Sequence, residues 1–397
     1  MRILQVVPRY APAWAFGGGV RMTYELARTW VAHGHEVTVF TSDQSSDDER
    51  FENLQDTLDG ILIRRFRVPR GRLAAKYPFL FFRPAGLAAA LGEYGRTYDV
   101  VHVAESRGPH NRWVDHHVAS QGVPVVWSAY GGLASGRGVR QFYRAAHDVV
   151  FNTARCVRQA RGLIAQTNHE AEAYRSFGAD PARIRLIPLC VRWEDFATLP
   201  TRGRFREKIG IKADQKLILF LGRIHATKGL QVLIPAFAEV ARRDPLVHLA
   251  IVGWDHGFVG EARRMVAELG LTARIHFAGA LYEKERFNAY VDADIFTLTP
   301  GTYEETSLAA LEACACGIGC VLTRQCEIPH LESASAGRIV NYEAAAVVGA
   351  MMEGLSGNMF TKWGQNARRM VQTHFTTEIV ATSHECFFSE IVSRRNP

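Results

Sequence analysis

The chain has 397 residues, of which 47% are hydrophobic and 22% charged, and a net charge of +7. That length exceeds what one core comfortably supports, so two domains are expected, and the composition excludes a bulk disordered or collagen-like chain. No apolar run approaches the ~18 residues of a membrane-crossing helix, and the opening "MRILQVV" lacks a signal-peptide core, so a cytoplasmic chain is expected.

In chain order, "RILQVV", a long loop "PRYAPAWAFGGG", the helical run "VRMTYELARTWVAHG" and "EVTVFT" make a βαβ unit with a glycine-rich turn. Strands follow at "ILIRRF", "VVHVA", "VPVVWSA", "GLIAQT" and "IRLIPL". Periodicity lapses around Leu189–Arg206, where Pro188, Pro200 and Gly203 act as breakers, and a linker is placed there. Alternation then resumes with "LILFLG", "VHLAIVG", "RIHFAG", "IFTLTP" and "CVLT", each separated from the next by a helical stretch. Short, near-continuous apolar strands between helices imply parallel sheets covered on both faces. Two doubly wound α/β domains in tandem are therefore expected, with ligands where strand C-termini face the gap between them.

Seven cysteines scattered over the chain do not suggest a disulfide framework. Cys314, Cys316, Cys320 and Cys326 cluster, but without a C-x-x-C pair, and buried thiols are expected in place of a zinc site. The basic excess sits in residues 1–200, with 25 Lys and Arg against 19 acidic residues.

Three segments can carry chemistry. Gly17–Gly19 precedes the first helix, where glycine lets backbone amides approach an anion; a flexible turn would look the same. Met22 stands where a dinucleotide fingerprint needs glycine. In "LGRIHATKG", Arg223 and Lys228 flank a loop at a strand C-terminus, placed to neutralise a diphosphate or to be two solvated charges. The third segment is "TYEETSLAALEACACG", Thr302–Gly317. Thr306 or Ser307 can cap its helix, whose free N–H groups and positive end suit a phosphate. Glu304 lies just ahead of the cap, and Glu312 about 8 Å along the axis, on a face able to accept from a ribose. An acidic first turn that merely stabilises its own helix would give the same pattern.

Taken together, the E-x7-E pair Glu304/Glu312, the Arg223…Lys228 loop and the segments "GGGVRMTYELARTW" and "GLIAQTNHEAEAYRSFGADPARIRLIPL" resemble the retaining glycosyltransferases of family 4 over nearly the whole chain. The resemblance implies a GT-B fold, two Rossmann-like doubly wound parallel-sheet domains facing a cleft. The expected domains are 1–196, with a C-terminal helix (about 377–397) packing back on it, and 197–376. The resemblance also implies transfer from a UDP- or GDP-sugar to a glycan or lipid-linked acceptor, in polysaccharide or lipopolysaccharide synthesis, with no metal or other cofactor. Carried over, Glu304, Arg223 and Lys228 would be catalytic. Gly18, Gly19, Tyr130, Gly131, Thr306, Ser307, Leu308 and Glu312 would bind the donor.

Tyr130-Gly131 stands where the family often has His-Gly, Cys190 and Arg192 interrupt the usual segment before the linker, and Glu305-Thr306-Ser307 replaces a common Phe-Gly. Two alternatives follow: a degenerate, binding-only subunit, and a nucleotide-sugar epimerase needing no acceptor. Arg64–Pro84 mixes basic with aromatic residues, which suggests contact with an anionic membrane surface; a strand with polar edges followed by a solvated loop would look the same. No nucleic-acid recognition module accompanies it.

Overall fold

A computed structural model describes residues 1–69, 83–105, 108–133, 139–282, 284–304 and 306–394, with the backbone alone for 139–141. The chain divides into two compact units, one formed by Met1–Leu189 with Thr377–Pro397 and the other by Cys190–Thr376. The break falls seven residues ahead of the expected 196/197. Its local cause is pairing: Val191 N–H donates to Phe375 O at 2.8 Å, and Arg368 Nη2 donates to Phe196 O at 2.8 Å. These bonds tie the Trp193–Phe196 turn to the end of the second unit.

Among the described residues the first unit holds eight strands: β1 (Arg2–Val6), β2 (Glu36–Ser42), β3 (Gln55–Leu58), β4 (Ile61–Phe66), β5 (Val100–Ala104), β6 (Val125–Ser128), β7 (Gly162–Ala165) and β8 (Ile184–Leu186). Their order is β3-β4-β2-β1-β5-β6-β7-β8, parallel except for the edge pair β3/β4. β5 and β6 are buried along their whole length, as strands covered on both faces must be. The second unit is wholly parallel: β9 (Lys216–Leu221), β10 (Val247–Val252), β11 (Ile275–Gly279), β12 (Ile295–Leu298), β13 (Gly319–Thr323) and β14 (Gly337–Val340), in the order β11-β10-β9-β12-β13-β14. Strand order reverses between β1 and β5 in one unit and between β9 and β12 in the other. Such a reversal leaves a crevice at the strands' C-terminal ends, because the loops on either side depart to opposite faces.

Part of the basic stretch after β3 is structural. Arg65 is buried, stacks over Phe51 at 4.4 Å and donates to Ala11 O at 3.3 Å, while Arg64 lies over the Tyr94 ring at 4.5 Å. Of the membrane contact expected at Arg64–Pro84, residues 70–82 lie outside the described residues. Among the described residues no helix is long and apolar enough to cross a membrane.

The final helix, Thr377–Ser393, packs on the first unit through Val380, Ala381, His384, Phe387, Phe388 and Ile391. Trp30 meets Phe388 at 5.4 Å and His384 at 5.8 Å, and His102 lies 5.8 Å from His384. Burial pushes His384 down to about 4, holds His102 well below its ordinary range, and takes His110 down to about 3. At the surface His33 runs the other way. Its burial opposes the charge, but Glu385 at 2.8 Å and Glu378 at 2.9 Å outweigh it and raise the imidazole.

A lowered histidine binds fewer protons folded than unfolded. Its stabilisation is therefore complete above ~6.5 and is lost as pH falls toward its folded value, while His33 contributes the opposite slope. Among the described residues five histidines are lowered in this unit, His35 and His117 with the three above, and they outnumber the raised His33 and a raised carboxyl, Glu105. The urea midpoint is expected to fall between pH 7 and pH 5, and His384→Leu to reduce that drop whatever its absolute stability. Equal pH dependence in the two proteins would show that His384 is not a source of it.

Candidate active site

The second unit brings the three residues expected to be catalytic to the switch point between β9 and β12, with Thr306 and Ser307 beside them. The chain leaves β9 through Gly222 and Arg223, makes a single 3-10 turn at Ala226–Lys228, and enters the Leu230–Arg243 helix at Gly229. His225 Nδ1 accepts from Thr227 N–H at 3.2 Å and so caps that turn. Gly229 has φ 78°, and a Cβ there would lie 1.4 Å from Thr299 O, so the turn packs backbone to backbone on the exit of β12. Thr299 Oγ1 donates to Gly229 O at 3.0 Å, and Gly301 N–H to Thr227 O at 3.3 Å.

That clamp places Lys228 beside Glu304. The Lys228 ammonium donates to Glu304 Oε1 directly, with the two side chains only 11% and 23% exposed. Glu304 is held in turn by its own N–H, which donates to Gln325 O at 2.7 Å. Ser307 caps the Leu308–Ala315 helix, its hydroxyl accepting from Ala310 N–H at 3.4 Å. Of the two capping candidates it is Ser307 that does so. The neighbouring Thr306 is buried, and its hydroxyl has no partner among the described residues. A helix start of this kind offers free amides, a positive end and a spare hydroxyl to an anion. Arg223 is exposed beside the same loop, and among the described residues its guanidinium makes no hydrogen bond or ion pair.

Glu312 has protein partners that the sequence did not show. Its carboxylate accepts a fork from Arg286 at 3.0 Å and 3.0 Å, and from Tyr290 Oη at 3.2 Å, and it is buried. Arg286 and Tyr290 come from the helix Glu285–Asp292, so this acid also joins two helices. Arg286 was missed in the sequence because its partner lies 26 residues away and nothing local marks it. Glu305 lies outside the described residues.

The four clustered cysteines are buried thiols. Cys314 Sγ lies 3.4 Å from Cys320 Sγ behind the helix, and burial pushes Cys316, Cys320 and Cys326 well above the ordinary thiol range.

The remaining expected residues gather at the C-terminal edge of the first unit's own sheet. Gly18 and Gly19 open the helix Gly18–Ala32, which no side chain caps. Glu105, next after β5, holds φ 69° and sets its carboxylate 3.5 Å from where a Gly19 Cβ would be. Burial raises Glu105 despite the opposing charge of Arg9. Tyr130 (φ 48°) and Gly131 (φ 75°) follow β6, and Gly131 N–H donates to Glu170 Oε1 at 2.6 Å. Glu105 went unnoticed in the sequence, although an acid one residue past a strand beside the order reversal is a usable signal.

Residues 16–194 match the family described as Glycosyltransferase Family 4, and residues 201–370 match Glycosyl transferases group 1. The chain belongs to glycosyltransferase family 4. Among curated relatives, D-inositol 3-phosphate glycosyltransferase of Kineococcus radiotolerans is 29% identical over 336 residues, covering 78% of this chain and 73% of the relative. Among solved structures, Anabaena HepE in complex with UDP has a TM-score of 0.75 at 16% identity, covering 98% of this chain and 100% of that one. WaaG, a glycosyltransferase involved in lipopolysaccharide biosynthesis, has a TM-score of 0.66 at 20% identity, covering 97% and 99%. The family 4 chain thus has a GT-B fold and is a glycosyltransferase.

Proposed function

We propose that the chain is a retaining transferase that moves a sugar from a nucleoside diphosphate sugar to a hydroxyl of a glycan or lipid-linked acceptor. The observation that carries this reading is the contact of Lys228 with Glu304 beside the capped Leu308–Ala315 helix. A cation, a helix start and a carboxylate converge there from two loops that the fold brings together at a strand-order reversal. The relatives support the donor and leave the acceptor broad: HepE was crystallised with UDP, WaaG takes part in lipopolysaccharide synthesis, and the curated relatives are named for D-inositol 3-phosphate.

In this mechanism the diphosphate seats on the amides of Thr306–Leu308. Lys228 turns its ammonium from Glu304 to the phosphate oxygens, and Arg223 adds its fork. Glu304, released, accepts from the sugar hydroxyls. The bond between the anomeric carbon and the phosphate oxygen breaks, with its electron pair going to the diphosphate. The acceptor oxygen then bonds the anomeric carbon from the face the diphosphate leaves, and its proton passes to a diphosphate oxygen. Two cations and a helix terminus supply the positive charge, so the transfer is proposed to be metal-independent. Glu312 serves the ribose with the oxygen capacity that Arg286 and Tyr290 leave it. The all-thiol state of the described cysteines suits a reducing, cytoplasmic setting.

A thermal-shift panel of UDP-, GDP- and ADP-sugars tests the donor, and nucleotide release with and without acceptors tests the reaction. The acceptor set includes D-inositol 3-phosphate and lipid-linked glycans. One donor is expected to raise the melting temperature and to release nucleotide faster with acceptor. Binding without release would select the binding-only subunit, and donor conversion without acceptor would select the epimerase.

A further inference from the structure

The carboxylate of Glu312 is nearly full. Two carboxylate oxygens offer about four acceptor positions. Among the described residues three of them are taken: Arg286 Nε and Tyr290 Oη donate to Oε2 at 3.0 and 3.2 Å, and Arg286 Nη2 donates to Oε1 at 3.0 Å. One position, on Oε1, is left. Burial, and then Glu312, push the Tyr290 hydroxyl well above its ordinary range, so it keeps its proton and stays a donor. The Arg286 guanidinium lies over the Phe287 ring at 4.7 Å, and the Arg286 and Glu312 side chains are only 15% and 12% exposed.

Charge separates this pair from Lys228 and Glu304. A diphosphate can take over the Lys228 ammonium because it brings negative charge of its own. A ribose hydroxyl is neutral. If it displaced Arg286, it would leave an enclosed guanidinium and carboxylate without their counter-charges, the costly outcome for a buried ion pair. The fork therefore stays in place when a nucleotide binds.

We propose that Arg286, with Tyr290, makes Glu312 a one-hydroxyl ribose contact, so that the chain tolerates a donor nucleotide lacking one of the two ribose hydroxyls. The inference rests on the nucleoside diphosphate reading above and deepens it. A ribose presents two neighbouring O–H donors, and the carboxylate has room for one of them. When either hydroxyl is missing, the other can fill the same position. The donor class then extends to deoxyribonucleoside diphosphate sugars. Arg286 acts through Glu312 and is a positioning residue for specificity; no contact of its own with the nucleotide is required.

The test is calorimetric titration of the full chain with the ribo, 2′-deoxy, 3′-deoxy and 2′,3′-dideoxy forms of UDP, GDP and ADP. For the base that binds, at least one monodeoxy form is expected within about threefold of the ribonucleotide, and the dideoxy form about tenfold or more weaker, the loss of one hydrogen bond to a charged group. Tyr290→Phe removes one donor and reopens a position on Oε2, while Arg286→Lys keeps the cation but not the fork. In both variants the monodeoxy form that the wild type tolerates should fall to about tenfold below the ribonucleotide, a change of selectivity that a merely structural role would not produce. Tenfold losses for both monodeoxy forms in the wild type would overturn the inference and leave the donor reading standing. So would wild-type selectivity retained in both variants. A dideoxy form as tight as the ribonucleotide would show that Glu312 does not hold the ribose, which also overturns it. Binding by no ribonucleotide would remove the donor reading itself, and this inference with it.

Discussion

Lys228→Ala and Glu304→Ala are each expected to lower kcat/KM for sugar transfer by about 10²–10³-fold, the loss that accompanies removal of one preorganised partner of a developing charge. Lys228 donates to Glu304, and both sit at the start of the Leu308–Ala315 helix, so each variant removes one charge and leaves the other in a partly enclosed place. Because the two residues act on one leaving group and one sugar, the double variant should fall little further than the worse single one. Lys228→Arg should recover little, since a planar fork does not reproduce a compact ammonium at the end of a 3-10 turn. The wild-type helical signal is expected in all of them. Steady-state nucleotide release decides the matter. Full turnover in either alanine variant would leave the pair as a structural ion bridge and nothing more.

The apolar runs made the second unit legible because every one of its central strands is buried on both faces. "LILFLG", "VHLAIVG" and "CVLT" each resolve into a strand of the parallel sheet. Where burial is incomplete the pattern fades. β3 ("QDTL") is an exposed antiparallel edge, and β14 ("GRIV") is only partly covered, so neither announced itself. The Lys228 and Glu304 loops were legible for a related reason: both follow strongly patterned strands, and motifs at strand ends inherit their placement from the sheet. What the sequence could not report was how side chains from separate helices would settle. Glu312 looked free to face a ribose, yet Arg286 and Tyr290 reach it from the Glu285–Asp292 helix. The same holds for Arg64 and Arg65, which read as surface cations and are turned onto Tyr94 and Phe51. A helical period also says which residues share a face, not which way the face points, and Phe142, Tyr143, Val149 and Val150 point outward.

Gly229→Ala should be as damaging as loss of Lys228, for a reason that has nothing to do with charge. The new Cβ would stand 1.4 Å from Thr299 O and 2.5 Å from Thr299 C, atoms of the backbone that no rotamer change can move aside. Gly229 also holds φ 78°, which costs any other L-residue roughly 1–2 kcal/mol. Relief requires the turn to lift from the exit of β12. That movement breaks the Thr299–Gly229 and Gly301–Thr227 hydrogen bonds and carries Lys228, one residue earlier, away from Glu304. The expected cost is upward of about 3 kcal/mol in stability together with a loss of turnover comparable to that of Lys228→Ala. Gly222→Ala in the same loop is the control: a Cβ there meets nothing within 4 Å, so the melting temperature should stay near that of the wild type. If Gly229→Ala melted alongside Gly222→Ala, the close packing of the two loops would not be what holds the cation and the carboxylate together. The site would then owe its geometry to the Lys228–Glu304 attraction itself, and a charge-neutral pair such as Lys228→Met with Glu304→Gln should then loosen the loop where Gly229→Ala did not.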